Sequence, residues 1–211
     1  MIRYLYGDEL DIAPLLKHTM FLDRADQFKT RLGWDVALED NGYERDQYDP
    51  LNPLYVIYQK PDGTHGGSMR LLPSTGRTMV NEHFSDILGG GEVRSLSIWE
   101  CTRFCLAREA EPRTAAALML AGGEIMENFG VKHFGGVFDA RMIRIYRMIG
   151  ASPEILGSTG EGREKISVGL WSFTNEARQR VALKAGVSLA LSNLWFERAF
   201  GSDCLMLAET A

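Results

Sequence analysis

The chain predicts an α/β fold, one domain over residues 1–211 in which helices flank a mixed sheet, and three observations carry that expectation. Strand-like runs rich in β-branched and aromatic residues alternate with segments whose apolar residues recur every three or four positions. Turn chemistry separates the segments, with Pro61-Asp62-Gly63 the clearest case. And 211 residues suffice for a full hydrophobic core without a second domain.

Residues 1–6 form the first strand. Asp8 and Asp11 offer caps, and Pro14 suits the first turn of a helix that carries Leu15, Leu16 and Phe21 inward and runs to Leu32, where Gly33 stops it. A polar loop, 39–53, follows, in which Tyr43 and Tyr48 interleave with acids, a sign that it packs against something. Residues 54–60 and 66–72 are the strands of a hairpin, and Arg70 alternates with Met69 and Leu71, so it faces the other way. A short helix over 81–88 buries Phe84, Ile87 and Leu88, Gly89-Gly90-Gly91 is a flexible connection, and 96–106 is a strand. A helix opened by Pro112 and Thr114 runs to Phe129 and presents Leu118, Gly122, Ile125, Met126 and Phe129 as one buried stripe. Residues 132–138 make another strand, and Asp139 caps a helix that ends at Gly150, with Met142, Ile145, Tyr146 and Ile149 facing in. Residues 165–171 alternate as a half-buried strand, and Thr174 caps a last helix toward Phe200.

Composition narrows the partners. A net charge of −5 argues against nucleic acid, which needs a basic footprint. No run reaches the roughly 18 apolar residues that span a bilayer, and the opening residues show no signal-peptide pattern, so a cytoplasmic location is expected. Cys101, Cys105 and Cys204 are odd in number and lack CxxC spacing, which predicts neither a disulfide framework nor a zinc site. All three read as small, mostly buried apolar side chains.

Glu100 and Arg103 stand out as an acid and a base inside the apolar run 96–106. Alone they would be an ion pair on a strand face. Their company favours function: Arg24, Phe28 and Trp34 upstream, Asp46 and Asp49 in the acidic loop, and Arg70 in the hairpin. Arg24 and Phe28, four apart, share one helix face. Further on, Arg141, Arg144 and Arg147 form a basic row, either a solvated face or a docking patch for an acidic partner.

Together, Phe28-x5-Trp34, Glu44-x-Asp46-x2-Asp49, Gly67-Ser68-x-Arg70-Leu71-Leu72-Pro73 and Trp99-Glu100-x2-Arg103-Phe104, with Arg24 and Phe84, resemble the signature of the LuxI-type autoinducer synthases, the acyl-homoserine-lactone synthases. The resemblance covers the first half of the chain, to about Phe104. It implies a fold related to the GNAT acyltransferases, with a bulged or splayed central strand. It also implies an acyltransferase that acylates the amine of S-adenosylmethionine (SAM) from an acyl thioester on acyl carrier protein or CoA. Attack of the SAM carboxylate on its own γ-carbon then releases 5′-methylthioadenosine and a lactone, a quorum-sensing signal. Both reactants are substrates, so no cofactor and no metal are implied. By the same resemblance Glu100, Arg103, Asp46, Asp49 and Arg70 carry catalysis, and Arg24, Phe28, Trp34, Phe84 and Arg103 contact SAM. Chain length and oligomeric state are left open.

The chemistry suits those residues. An α-amine has a reference pKa of about 7.7 to 8.0 and must lose a proton before attacking a thioester, which makes Glu100 the candidate base, directly or through a water. A thioester is already activated, so Cys101 is not needed as a nucleophile. Asp46 and Asp49 offer charge to the SAM cation and Phe28 or Trp34 a π face, while Arg70 and Arg103 hold the acids in an ion network. The segment with Arg24, Phe28 and Trp34 is a candidate lid. Two alternatives compete: a GNAT-type N-acyltransferase on another amine, which leaves Trp34, Asp46 and Asp49 unexplained, and a non-catalytic module binding SAM or an acyl ligand, which has no use for a base at Glu100.

Two departures refine the expectation. The loop 108–113 has no glycine to cradle a CoA pyrophosphate, which favours a carrier protein. No threonine stands at 138–140, where the family's 3-oxo enzymes resemble one another in having one, which points to an unsubstituted or otherwise different acyl group. One geometric demand remains. Residues three apart on a regular strand face opposite ways, so Glu100 and Arg103 share a pocket only if the strand bulges near Cys101-Thr102.

Overall fold

In the computed structural model, which describes residues 1–201, seven strands form one sheet in the order β1-β2-β3-β4-β5-β7-β6. They are β1 Ile2–Tyr6, β2 Leu54–Gln59, β3 His65–Pro73, β4 Ile98–Leu106, β5 His133–Asp139, β6 Glu154–Thr159 and β7 Ile166–Trp171. Every neighbouring pair is antiparallel except β4 and β5, which run parallel because a helix links them. The sheet is mixed, as its sequence predicts.

That crossover helix, α3 Thr114–Asn128, is the centre of the larger core. Its Leu118 and Ile125 pack in one cluster with Val56, Leu71 and Phe134 of the sheet. The helix can lie this close because its contact face is small: a Cβ on Gly122 would sit 3.0 Å from the Phe134 ring and 3.1 Å from Met69. Two further helices, α5 Asn175–Ala185 and α6 Leu189–Phe200, add Val181, Phe196 and Phe200 to the same cluster. The other sheet face carries α1 Pro14–Ala25, whose Leu16, Met20 and Phe21 meet Tyr55 and Ile57 in a second, smaller core. Arg70 points to this side and Met69 and Leu71 to the α3 side, as the alternation predicts.

Local differences from expectation have identifiable causes. Pro14 opens α1, but neither Asp8 nor Asp11 caps it: Asp11 pairs with Lys17, and Leu15 is half exposed. Beyond Ala25 the chain continues as a π-helical turn, Asp26–Arg31, which keeps Phe28 buried. The helix expected over 81–88 is split into α2 Met79–His83 and a 3₁₀ turn Ser85–Leu88, and the buried side chain is Val80, not Phe84, Ile87 or Leu88. Gly186, at φ 65°, divides the expected last helix into α5 and α6. Strand β6 was not expected; it is a solvent-facing edge strand with no apolar periodicity to betray it. Asp139 and Thr174 cap α4 Ala140–Ile149 and α5 as expected, through Arg141 N–H and Ala177 N–H. Cys105 is buried, Cys101 half-buried, and Cys204 lies outside the described residues.

Candidate active site

The bulge exists, one step beyond its expected place. Ser68 pairs with Cys105 and Arg70 with Thr102, so two steps along β3 match three along β4. The extra residue is Arg103, at φ 51°, a left-handed conformation that costs a non-glycine residue about 1 to 2 kcal/mol. The bulge turns Thr102, Arg103 and Cys105 toward α1, and Glu100 lies on the same side near Arg70 and Asp46.

Around it three arginines meet three acids. Arg24, almost fully buried, donates to Glu44 at 2.7 Å and to Asp49 at 2.9 and 3.1 Å. Arg70 grips Asp46 with both terminal nitrogens, donates from Nε to Thr102 Oγ1 at 3.0 Å, and lies 2.9 Å from Asp49. Arg103 closes the ring, 2.9 Å from Glu44 and 2.8 Å from Asp46. Tyr55 donates to Asp49, and the Asp46 N–H also reaches Asp49. The paired arginines hold Asp46 and Asp49 below the usual carboxylate range against the opposing effect of burial. With charges balanced and Asp49 buried, Asp49 holds the arginines and has no charge to spare for a ligand.

Glu100 is different. Among the described residues it has no salt-bridge partner; its two oxygens accept the N–H groups of Val80 at 2.6 Å and Met79 at 3.0 Å, at the start of α2. Burial pushes its pKa up, and those two bonds and Arg70 only partly offset this. A carboxyl raised above its usual range by burial suits a general base.

Beyond Glu100 the sheet opens. Strands β4 and β5 pair only from Ile98 to Glu100, ending opposite Gly135. In the gap lies a cavity of about 360 Å³, walled by Met126, Phe134, Phe138, Tyr146, Trp171 and Phe173 among others. Met79, whose N–H holds Glu100, lines it, as do Phe28, Trp34 and Arg103. Phe28 and Trp34 stack with ring centroids 5.1 Å apart, and the Arg103 guanidinium sits 5.3 Å from the Phe28 ring. Past the bulge, Gln27 takes the place of a neighbouring strand, donating to Phe104 O and accepting from Leu106 N–H.

The structure thus joins Arg24, Asp46, Asp49, Arg70 and Arg103 in one network, sets Phe28 and Trp34 beside it, and holds Glu100 between cavity-lining Met79 and Cys101 by hydrogen bond and by sequence, without Glu100 itself lining the cavity. Phe84 is half-buried at the end of α2 and does not line the cavity. Three residues not singled out as site residues matter. Glu44, fully buried between Arg24 and Arg103, was legible in the acidic triplet; Thr102 and Gln27 carried no sequence signal. Cys101 lines the cavity, but burial pushes its thiol up to about 12, so it is no ready nucleophile.

Comparisons with known proteins agree with this geometry. The fold matches the CoA-dependent acyl-homoserine lactone synthase MesI with a TM-score of 0.78 at 22% identity, over 90% of this chain and 98% of that one. It also matches an acyl-CoA N-acyltransferase from Pseudomonas aeruginosa, at a TM-score of 0.51 and 12% identity, over 82% of this chain and 99% of that one, which supports the GNAT-like architecture. In sequence, an acyl-homoserine-lactone synthase of Rhizobium etli is 39% identical over 181 residues, 82% of this chain and 85% of that one. The model of the family described as autoinducer synthase matches residues 12–181, so the chain belongs to the autoinducer synthase family and is an acyltransferase of that class.

Proposed function

We propose that the protein acylates the α-amine of SAM from an acyl thioester carried by acyl carrier protein, then lets the product close to an N-acyl-homoserine lactone. Glu100, directly or through one water, takes a proton from the ammonium. The freed nitrogen attacks the thioester carbonyl, the C–S bond breaks, and the carrier thiolate leaves and is reprotonated. The SAM carboxylate then displaces the sulfur at its own γ-carbon, and neutral methylthioadenosine departs. Phe28 and Trp34 supply the π face for the sulfonium, and Arg103, on the Phe28 ring, fixes that wall. Arg24, Arg70, Glu44, Asp46 and Asp49 act as positioning residues that hold the bulge. The donor reading rests on the exposed Arg144 and Arg147 of α4, close to cavity-lining Arg141, and on the glycine-free loop 108–113. A cytoplasmic reaction is part of this proposal; no described helix is long and apolar enough to cross a membrane.

The observation that carries this reading is Glu100: a buried carboxyl with raised pKa beside an apolar cleft opened by strand divergence. Purified protein with SAM and acyl-carrier-protein or acyl-CoA thioesters should release methylthioadenosine and lactone, with higher kcat/KM on the carrier protein. Glu100→Gln is expected to keep SAM affinity and lose about 10²- to 10⁴-fold in kcat. The wild-type acid limb should lie above the ordinary carboxylate range and vanish in the variant. Absence of methylthioadenosine with every donor would reject the reading.

A further inference from the structure

Glu100 owes its setting to α2, a helix of 5 residues. Its two oxygens accept the N–H groups of Met79 at 3.0 Å and Val80 at 2.6 Å, so the base is held wherever the first turn of α2 is held. A helix this short does not keep its own place, because one turn of hydrogen bonds hardly repays the ordering of its residues. Two side chains that the proposed mechanism does not use tie it down. Tyr48, 1% exposed, donates from its hydroxyl to Glu82 of α2 at 2.8 Å. Its backbone N–H meanwhile binds Asp46, and the Arg70 guanidinium lies 5.5 Å from its ring centroid. Asn81, on α2, grips the chain beyond Gly89-Gly90-Gly91: its amide nitrogen donates to Val93 O at 3.1 Å and its amide oxygen accepts the Val93 N–H at 2.8 Å. Those are the two bonds that a residue of an antiparallel strand would exchange. For packing alone a phenylalanine would serve at position 48; the hydroxyl adds the tie to α2.

Resting on the synthase reading, we infer that Tyr48 and Asn81 are positioning residues that hold the first turn of α2 on Glu100, so that the base keeps two backbone donors on its ionised form. Both ties reach elements that also fix Glu100. Tyr48 joins α2 to the ring of arginines and acids, and Val93, held by Asn81, leads into β4, on which Glu100 sits. The two N–H bonds favour the carboxylate and burial opposes it. Where α2 drifts, burial is less opposed and the carboxyl rises further. The other groups around Glu100 keep their charges when either tie is cut. Arg70 of β3 lowers its value and Asp46 of the acidic loop raises it, while Tyr48 and the Cys101 thiol are neutral. On α2 itself, Glu82 still has Arg77 as its partner and His83 lies 3.1 Å from Gln47.

The test follows the pH profile of kcat/KM in Tyr48→Phe and Asn81→Ala, neither of which changes a charge. Ser188→Ala is the control: it removes the side-chain cap of α6 and lowers the melting temperature without touching α2. Tyr48→Phe and Asn81→Ala are each expected to move the acid limb up by about 0.5 to 1 pH unit, a roughly 3- to 10-fold loss below the limb with the alkaline plateau kept. Ser188→Ala should leave the limb in place. Each variant decides its own residue. A limb that stays or moves down, or a loss of equal size at every pH, overturns the assignment and leaves that side chain a merely structural role. If no donor releases methylthioadenosine, the synthase reading fails instead. The Glu100 titration is then followed by carboxyl-carbon NMR, its signal identified by its absence in Glu100→Gln; the same upward shift supports the inference and an unmoved value overturns it.

Discussion

The two sides of β4 solve opposite problems. Toward α1, three arginines and three acids are buried in a ring in which nearly every polar atom has a partner. At the edge facing β5, a largely apolar cavity makes few directional contacts. The ring costs desolvation and returns a fixed geometry, so each member depends on the rest. The cavity wall is held by shape, and one side chain there can change at small cost. The contrast separates the residues that build the site from those that choose the substrate.

Breaking the ring should have the largest effect. Arg24→Ala strips Glu44 and Asp49 of their shared cation inside the protein, and the expected loss is about 3 to 5 kcal/mol of unfolding free energy in urea. Met126→Leu in the cavity wall nearly conserves volume and should cost less than about 1.5 kcal/mol. Equal costs would erase the distinction between the two sides.

That distinction also governs what the sequence could show. The ring was visible because charged residues in apolar or strand-like surroundings are conspicuous, as with Arg70 between Met69 and Leu71 and Arg103 in the run 96–106. The bulge was legible as a demand of spacing, although its place was off by a residue, since strand periodicity alone does not say which residue takes a positive φ. Gln27 and Thr102 were not legible. Each is an ordinary polar residue whose role depends on where another strand ends or bends. Tyr146 read as a helix residue facing in, which it is. Strand β6 lacks any buried face that would impose a pattern.

Acid should sharpen the comparison further. Asp46 and Asp49 have depressed pKa values in the fold, so their stabilisation is complete above the unfolded carboxylate value of about 4 and is lost as pH falls below it toward their folded values. Glu100 runs the other way: its raised value means that ionisation costs stability as pH rises through it. The melting temperature should therefore fall steeply between about pH 4 and pH 2, and less steeply in Asp46→Asn. An unchanged slope in that variant would mean that the ring does not control acid stability.

A smaller effect than the loss of Arg24 belongs to the hinge between the two sides. Gly136 follows the last residue of β5 that pairs with β4, and a Cβ there would lie 2.8 Å from the backbone carbonyl oxygen of Cys101. That obstacle is main chain, so it cannot rotate away as a flexible side chain would. Gly136→Ala must push β4 and β5 further apart, at an expected cost of about 1 to 3 kcal/mol. Because the strain falls at the opening of the cleft and away from Arg24 and Asp49, KM for the acyl thioester should rise more than KM for SAM. Equal changes in the two would mean that the width of the cleft and the geometry of the ring are one mechanical unit, and that β4 does not keep its two sides independent.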